Sequence, residues 1–167
     1  MTTVRPERPG DEPAIHVLIA ASFPTDAEAK LVDRLRRAGR LTVSLVAESE
    51  GSIVGHVAFS PVTTSSGVVG SGLAPLAVAE DQRRRGIGGS LVQEGLKACR
   101  AAAIGWVVVL GEPKYYGRFG FRPAPDSGLF DEYGGGDAFQ VVELIAGATP
   151  VGSGLVHYAP EFAGLGE

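Results

Sequence analysis

The sequence is poor in cysteine and contains no long apolar run, and each shortage excludes a class of protein. Cys99 is the one cysteine among 167 residues, so an intramolecular disulfide framework is excluded and a reducing compartment is favoured. The longest apolar run, residues 104–110, is far shorter than the roughly 20 residues that span a bilayer. Residues 1–10 lack the apolar core of a signal peptide. We therefore expect a cytoplasmic protein without a membrane partner.

Positive and negative side chains nearly balance in this sequence. The 15 Lys and Arg residues against 19 Asp and Glu residues give a formal net charge of −4, which argues against a general nucleic-acid-binding protein. His, Cys and carboxylate residues do not cluster at metal-ligand spacing in the sequence, so no metal is expected. The length suits a single domain over residues 1–167 with one sizeable core.

Hydrophobic periodicity predicts a mixed α/β fold. Helices are predicted over residues 11–22, 26–38 and 86–103. Strands are predicted over residues 2–5, 42–49, 52–60, 72–79, 106–110 and 138–145, with a weaker one over 155–158. The strand–helix–strand order over residues 72–110 predicts two parallel strands with a right-handed connection. The whole order predicts a strongly twisted mixed sheet with helices on both faces.

Polar residues lead to three smaller expectations. Asp11 is placed to cap the first helix. The Pro, Gly and Asp residues between Pro123 and Asp137 predict a loop. Four arginines at the end of the second helix are expected to face solvent: Arg34, Arg36, Arg37 and Arg40.

One turn carries most of the functional information. Residues 82–90 read Gln-Arg-Arg-Arg-Gly-Ile-Gly-Gly-Ser and lie between a predicted strand and a predicted helix. The first turn of a helix has unpaired N–H groups and a partial positive charge, and Gly86 and Gly88 allow a phosphate to approach them closely. Three arginines add formal charge beside them. The turn predicts a phosphate-binding pocket; the alternative is a solvated arginine run at a helix start.

The spacing within this turn selects among phosphate-binding motifs. A P-loop is excluded because no Lys follows Gly89, and a dinucleotide fingerprint is excluded because Leu91 lies three residues after Gly88. The pattern Arg83-x-x-Gly86-x-Gly88 does match a known motif. It resembles the acetyl-CoA pyrophosphate loop of the GCN5-related N-acetyltransferase (GNAT) family.

A second segment resembles the same family. The family's second signature is a Tyr, three further residues and then Gly-Phe, and this chain has that spacing at Tyr116 and Gly120-Phe121. Together the two motifs extend the resemblance over residues 73–123. The stretch from Leu110 to Phe121 is similar to the Leu-Gly-(Asp/Glu)-Pro-x-Tyr-Tyr-x-(Arg/Lys)-Phe-Gly-Phe segment of the YhbS-like branch. The resemblance implies a GNAT-type acyl-CoA N-acyltransferase fold, with a mixed sheet of about six or seven strands and about four helices.

The resemblance also implies an acetyl-CoA site. Backbone N–H groups at the helix start would bind the pyrophosphate, and the arginines would add charged contacts. The strand before the turn would present its backbone to the pantetheine amides, and an N–H near Val78 would polarise the thioester carbonyl. The implied cofactor-binding residues are Leu76, Ala77, Val78, Arg83, Arg84, Arg85, Gly86, Ile87, Gly88, Gly89 and Ser90.

Acetyl transfer to an amine also needs a proton for the departing thiolate. Tyr116 is the candidate general acid, because a phenol with a pKa near 10 stays protonated at neutral pH. Tyr115 is a neighbour that could take the role, and simple packing of Tyr116 is the alternative. Cys99 lies among alanines and is expected in the core, which favours direct attack in a ternary complex over an acetyl-cysteine intermediate.

A base for the incoming amine is not identified by any spacing rule. Four residues remain candidates: Glu48, His56, Glu112 and His157. His56 lies in an apolar strand, which favours a structural role, and Glu112 precedes Pro113 where it can cap a short helix. The identity of the base stays open.

Other predictions concern partners and rival functions. The resemblance implies a primary amine acceptor, of a small molecule or a peptide, and family habit suggests a homodimer. One rival is a non-catalytic acyl-CoA-binding module of the same fold, which would not need Tyr116. A second rival is a nucleotide-binding regulatory domain that uses the Arg/Gly turn.

Overall fold

A computed structural model describes residues 1–163 and 165. The strands are β1 (Thr2–Pro6), β2 (Val43–Ser49), β3 (Ser52–Val62), β4 (Gly70–Val78), β5 (Trp106–Leu110), β6 (Arg122–Pro123), β7 (Leu129–Phe130), β8 (Phe139–Glu143) and β9 (Gly154–Leu155). The α-helices are α1 (Glu12–Ser22), α2 (Ala27–Arg37), α3 (Ile87–Ala101) and α4 (Pro113–Tyr116). Short 3₁₀ turns connect several of these elements.

The strands form a mixed sheet, as predicted. A seven-stranded sheet has the order β1-β2-β3-β4-β5-β8-β6, and β7 and β9 form a separate two-stranded sheet. The pairs β1–β2, β2–β3, β5–β8 and β6–β8 are antiparallel. Strands β4 and β5, which flank the crossover helix α3, are parallel and pair at Ser71 with Val107 and at Gly72 with Val108. The predicted parallel crossover is therefore confirmed.

The hairpin between β2 and β3 follows from its turn dipeptide. Glu50 and Gly51 have φ angles of 50° and 80°. Two consecutive residues with positive φ are typical of the two-residue turns whose twist matches the flanking strands. The register places Ser49 opposite Ser52, with an irregularity at Ala47 and Glu48.

Backbone contacts divide the chain into two compact units. The first comprises residues 1–59, 74–95 and 160–167, and the second comprises residues 60–73 and 96–159. The boundaries fall inside β3, β4 and α3. The prediction of a single domain over residues 1–167 stays a prediction.

Each unit has its own cluster of buried apolar side chains. In the first unit, the cluster joins one face of α1 and α2 to the strands, and it contains Ile15, Leu18, Ile19, Ala29, Val32, Val46, Ala58 and Ala77. In the second unit, it is built around Trp106 and contains Val62, Val108, Ala124, Leu129, Phe139, Val141 and Val156. Ile15, Leu18 and Ile19, which recur at spacings of three and four residues, are buried together on one face of α1.

The structure departs in part from each of the three smaller expectations. Asp11 is the N-cap residue of α1, as predicted, but its side chain makes no cap bond, because its carboxylate accepts from the Arg5 guanidinium at 2.8 Å and from the Arg8 N–H at 2.7 Å. The arginines of α2 are not all solvated, since Arg36 binds both carboxylate oxygens of Glu7 at 2.8 and 2.9 Å.

The remaining arginines and the late loop also differ from expectation. Arg34 donates to the Glu161 carbonyl, and Arg40 pairs with the Glu161 carboxylate at 2.7 Å, whereas Arg37 is exposed as expected. The segment predicted as loop contains β7 and short 3₁₀ turns, and β7 pairs in parallel with β9. None of the helices in residues 1–163 and 165 is both long and apolar enough to cross a membrane.

Substitution of Gly95 in α3 tests how closely the helix packs against the strands of the first unit. An alanine methyl at this position would lie well inside contact distance of the ring of Phe59, which is fully buried. Gly95→Ala should therefore lower the free energy of unfolding by about 1–3 kcal/mol, as overpacking does, measured by urea denaturation. Helix propensity alone predicts the opposite sign, a gain of about 1 kcal/mol, and that result would contradict the packing.

Candidate active site

The turn before α3 bends the backbone sharply. Arg84 and Gly86 have φ angles of 66° and 78°, and a 3₁₀ turn over Glu80–Gln82 precedes them. The first bond of the helix runs from the Ser90 N–H to the Gly86 carbonyl, at 3.0 Å. The N–H groups before Ser90 therefore lie ahead of the helical hydrogen-bond ladder. A backbone in which left-handed residues alternate with right-handed ones forms a nest of N–H groups that binds anions. The positive φ angles of Arg84 and Gly86 therefore give this turn a local geometry that suits phosphate.

The arginines of the turn differ in their contacts. Arg83 donates through Nε to the Val78 carbonyl at 3.1 Å, so its guanidinium is tied to the end of β4. Arg85 lies 3.4 Å from the Gln82 side-chain oxygen, and Arg84 is exposed. The predicted phosphate contacts by these side chains stay predictions. The Arg83 contact adds a local role, because it closes the turn on the last residue of β4.

Ile87 and Gly55 explain how the start of α3 packs against β3. Ile87 is buried, and a methyl group on Gly55 of β3 would lie 3.1 Å from Ile87 and 2.9 Å from Leu91. Gly55 thus gives the space that lets the helix start approach the strand. The sequence signal was a glycine inside an apolar strand, which indicates a close approach, but the approaching partner was not readable.

The second motif forms a short helix whose cap was predicted. The Glu112 side chain accepts from the Lys114 N–H at 3.2 Å, and Pro113 occupies the first turn. Gly120 has a φ angle of 94°, which an L-residue rarely adopts, so it ends the following 3₁₀ turn. The segment is therefore a compact turn that fixes the positions of its aromatic rings.

Tyr116 lies half-buried among aromatic rings. Its ring meets the edges of Tyr115 and Phe121, with centroids 4.9 and 5.8 Å apart. Burial, with a smaller contribution from Tyr115, raises the pKa of Tyr116 to about 12. The phenol therefore keeps its proton through the neutral range, as a general acid requires. Tyr115 differs, since the Arg118 guanidinium lies 4.6 Å above its ring centroid.

The four candidate bases all have other contacts. Glu48 pairs with Arg5 at 3.0 Å, and Glu112 is the helix cap. His157 lies 3.4 Å from the Glu132 carboxylate, and its backbone bridges to Thr63. These contacts give each residue a structural role, and the identity of the base stays open.

His56 is the most buried of the candidates. Its Nε2 lies 2.9 Å from the Ser44 hydroxyl, which donates its own proton to Glu7 at 2.8 Å. Because that hydroxyl has one proton, Nε2 must be the donor, so Nδ1 is bare and lacks a hydrogen-bond partner within the described residues. Burial lowers the pKa of His56 to about 4, while Glu7 raises it and Arg36 lowers it further. A structural role for His56 is thus favoured over that of a base.

The route by which the acetyl group is transferred depends on whether a cysteine or a metal ion takes part. Cys99 is fully buried, and burial raises the pKa of its thiol to about 12, so it is a core residue and a poor nucleophile. Within residues 1–163 and 165, no three His, Cys, Asp or Glu side chains are grouped so as to hold a metal ion. That metal is not required stays a prediction.

Comparisons with known proteins identify the family. Residues 41–123 match the model of the acetyltransferase (GNAT) domain. The chain is 44% identical over 162 residues to YhbS of Escherichia coli K12, described as an uncharacterized N-acetyltransferase, and this covers 95% of the chain and 97% of that protein. The chain belongs to the GNAT family of acetyltransferases.

Two solved structures extend the comparison to the fold. The crystal structure of Escherichia coli YhbS in complex with CoA aligns with a TM-score of 0.93 and 43% identity, covering 99% of this chain and 93% of that one. A GNAT acetyltransferase from Brucella melitensis in complex with acetyl-CoA aligns with a TM-score of 0.82 and 35% identity, covering 97% and 98%. The predicted family and fold are confirmed, and the protein is an acetyltransferase.

The buried His56 should make stability depend on pH. The pKa of His56 in the folded protein lies below the unfolded value of 6.5. The contribution of the neutral side chain to the free energy of unfolding is therefore present above pH 6.5 and is lost as the pH falls towards about 4. The loss amounts to about 3 kcal/mol in the free energy of unfolding, measured by denaturation at a series of pH values.

The control variant is His56→Gln, which keeps an N–H donor for Ser44 but cannot ionise in this range. Burial raises the pKa of Glu7, but the hydrogen bonds from Arg36 and Ser44 together with nearby positive charge lower it overall, so Glu7 adds a similar acid loss in both proteins. The variant should lose less stability than the wild type between pH 6.5 and 4. Equal losses would show that the pKa of His56 is the same in the folded and unfolded states, so burial does not depress it.

Proposed function

We propose that this chain transfers an acetyl group from acetyl-CoA to a primary amine by direct attack in a ternary complex. The backbone geometry over Arg84–Ser90 is the observation that carries the proposal. Membership of the GNAT family supports it, as do the relatives solved with CoA and with acetyl-CoA. The acceptor is an amine of a small molecule or a peptide.

Binding of the donor is assigned to β4 and the turn after it. The N–H groups from Arg84 to Ser90 take the pyrophosphate, and the arginines supply charge. Leu76, Ala77 and Val78 present backbone amides to the pantetheine, four to six residues beyond Gly72, where β4 pairs with β5. The N–H near Val78 then polarises the thioester carbonyl.

Protonation of the thiolate is assigned to Tyr116. The buried phenol holds its proton at neutral pH, so every enzyme molecule enters the reaction with the acid in the correct state. The amine attacks the thioester carbonyl carbon, the C–S bond breaks, and the thiolate takes the phenolic proton. The amine gives up its own proton to water or to a base.

Direct attack is favoured over a covalent relay through sulfur. Cys99 is buried, and its thiol has a raised pKa, so it would not supply a thiolate at neutral pH. A cytoplasmic location, a homodimer and the absence of a nucleic-acid partner stay predictions. Assaying CoA release with a panel of free amines, aminoglycosides, polyamines and peptide N-termini would identify the acceptor class.

Acetyl-CoA should bind at the turn and stabilise the fold. At a hundredfold excess over its dissociation constant it should add about 2.7 kcal/mol to the free energy of unfolding. Gly88→Glu should abolish this gain, because bulk and negative charge then lie where the phosphate binds. Gln93→Glu, the same charge change at an exposed position of α3, is the control and should keep the gain. An unchanged gain in Gly88→Glu would place the phosphate elsewhere.

Tyr116→Phe should slow transfer without weakening donor binding. Loss of the phenolic proton should lower kcat by about 10²–10⁴, with KM for acetyl-CoA nearly unchanged because the ring remains. Steady-state kinetics of CoA release measure both constants.

Tyr115→Phe is the control and should have a mild effect. If Tyr115→Phe is the slow variant, the general acid is Tyr115. If neither variant is slow, the thiolate takes its proton from water and the assignment fails. A wild-type protein that binds acetyl-CoA and acetylates no amine would instead support the non-catalytic acyl-CoA-binding module.

A further inference from the structure

The ring of Tyr116 lies directly against the backbone of Gly111, the residue after β5. A methyl group on Gly111 would lie 2.6 Å from Cε2 of the ring, 3.1 Å from Cδ2 and 3.6 Å from Cζ. Real side-chain carbons essentially never approach as closely as 2.6 Å. The ring therefore occupies the space that any other residue at position 111 would fill.

The conformation of Gly111 gives no separate reason for a glycine. Its φ angle is not in the left-handed region, unlike that of Gly120 in the same segment. An alanine could adopt this backbone without strain, so the close contact with Tyr116 is the reason for the missing side chain.

Gly111 cannot easily move away from the ring, because both of its polar backbone groups are bonded. Its N–H donates to the Ala138 carbonyl at 3.0 Å, and its carbonyl accepts from Gln140 Nε2 at 3.2 Å. Gln140 Nε2 also lies 3.3 Å from the Ala138 carbonyl, and the Gln140 residue is 1% exposed. Bonds from a buried amide are stronger than exposed ones and costly to break. The backbone of Gly111 is thus held in place against the ring of Tyr116.

Other rings confine Tyr116. Tyr115 meets it edge-on, and Phe121, which is buried, meets it nearly at right angles. Interiors packed this closely transmit the displacement of one group to its neighbours instead of absorbing it. A ring held by Gly111, Tyr115 and Phe121 has one well-defined position.

We propose that Gly111, held in place by Gln140, is a positioning residue that sets where the Tyr116 hydroxyl lies in the reaction. The inference rests on the proposed function, in which that hydroxyl protonates the thiolate. Neither Gly111 nor Gln140 touches the reacting atoms. Both act through Tyr116, because one provides the surface for its ring and the other fixes that surface.

Gly111→Ala tests this directly. The added methyl must displace the ring, and misplacement of a catalytic group by about 1 Å can cost 10²-fold in rate. We expect kcat to fall by about 10- to 100-fold with KM for acetyl-CoA unchanged, because donor binding is assigned to the turn before α3. Gly117→Ala is the matched control: it lies next to Tyr116, has a φ of −56°, and has open space around its missing side chain.

A double-mutant cycle separates positioning from a general structural effect. In a Tyr116→Phe background the proton is already lost, so Gly111→Ala should lower kcat by less than about twofold more. Gln140→Met, which keeps the length of the side chain but removes its N–H donors, should lower kcat in the same direction as Gly111→Ala. It also tests the proposal if Gly111→Ala does not fold.

Three results would overturn the inference. The first is a Gly111→Ala variant as active as Gly117→Ala. The second is an equal loss from Gly111→Ala with and without Tyr116. The third is a fully active Gln140→Met. Failure of the proposed function looks different, since Tyr116→Phe would then turn over at the wild-type rate in an otherwise unmodified chain.

Discussion

The start of a helix leaves backbone N–H groups without partners inside the helix, and the proposed donor site depends on that constraint. In this chain the first helical bond of α3 begins at Ser90, after a turn in which Arg84 and Gly86 take left-handed conformations. Ile87 anchors the helix start, and Gly55 makes the room for it. The partial positive charge of a helix start and the left-handed residues before it together favour an anionic group.

The catalytic proposal depends on a different effect, which is the cost of placing charge in a buried site. Desolvation raises the pKa of Tyr116 to about 12 and makes its neutral form the stable one. The same effect raises the pKa of Cys99 and lowers that of His56, so both stay uncharged at neutral pH. For Tyr116 the effect preserves a proton to donate, whereas for Cys99 it removes a nucleophile. One physical rule thus keeps the phenol protonated and disfavours the route through cysteine.

Local patterns in the sequence predicted the parts of the protein that depend on local physics. The parallel crossover around α3 and the Glu112 cap follow from periodicity and capping, and both were found. Contacts between distant residues were not readable. The pairing of Arg36 with Glu7 spans 29 positions, and so does the bond from Gln140 to Gly111. Periodicity says which face is buried but does not identify the partner on that face.

The most direct test of the account compares acetyl-CoA with S-acetylpantetheine, which has the same thioester but no pyrophosphate, by isothermal titration calorimetry. If the N–H groups before α3 hold the pyrophosphate, removing it should weaken binding by at least tenfold, and Gly88→Glu should bind both ligands equally weakly. Equal affinity of the wild-type protein for the two ligands would contradict the account, because the turn would then contribute nothing to donor binding.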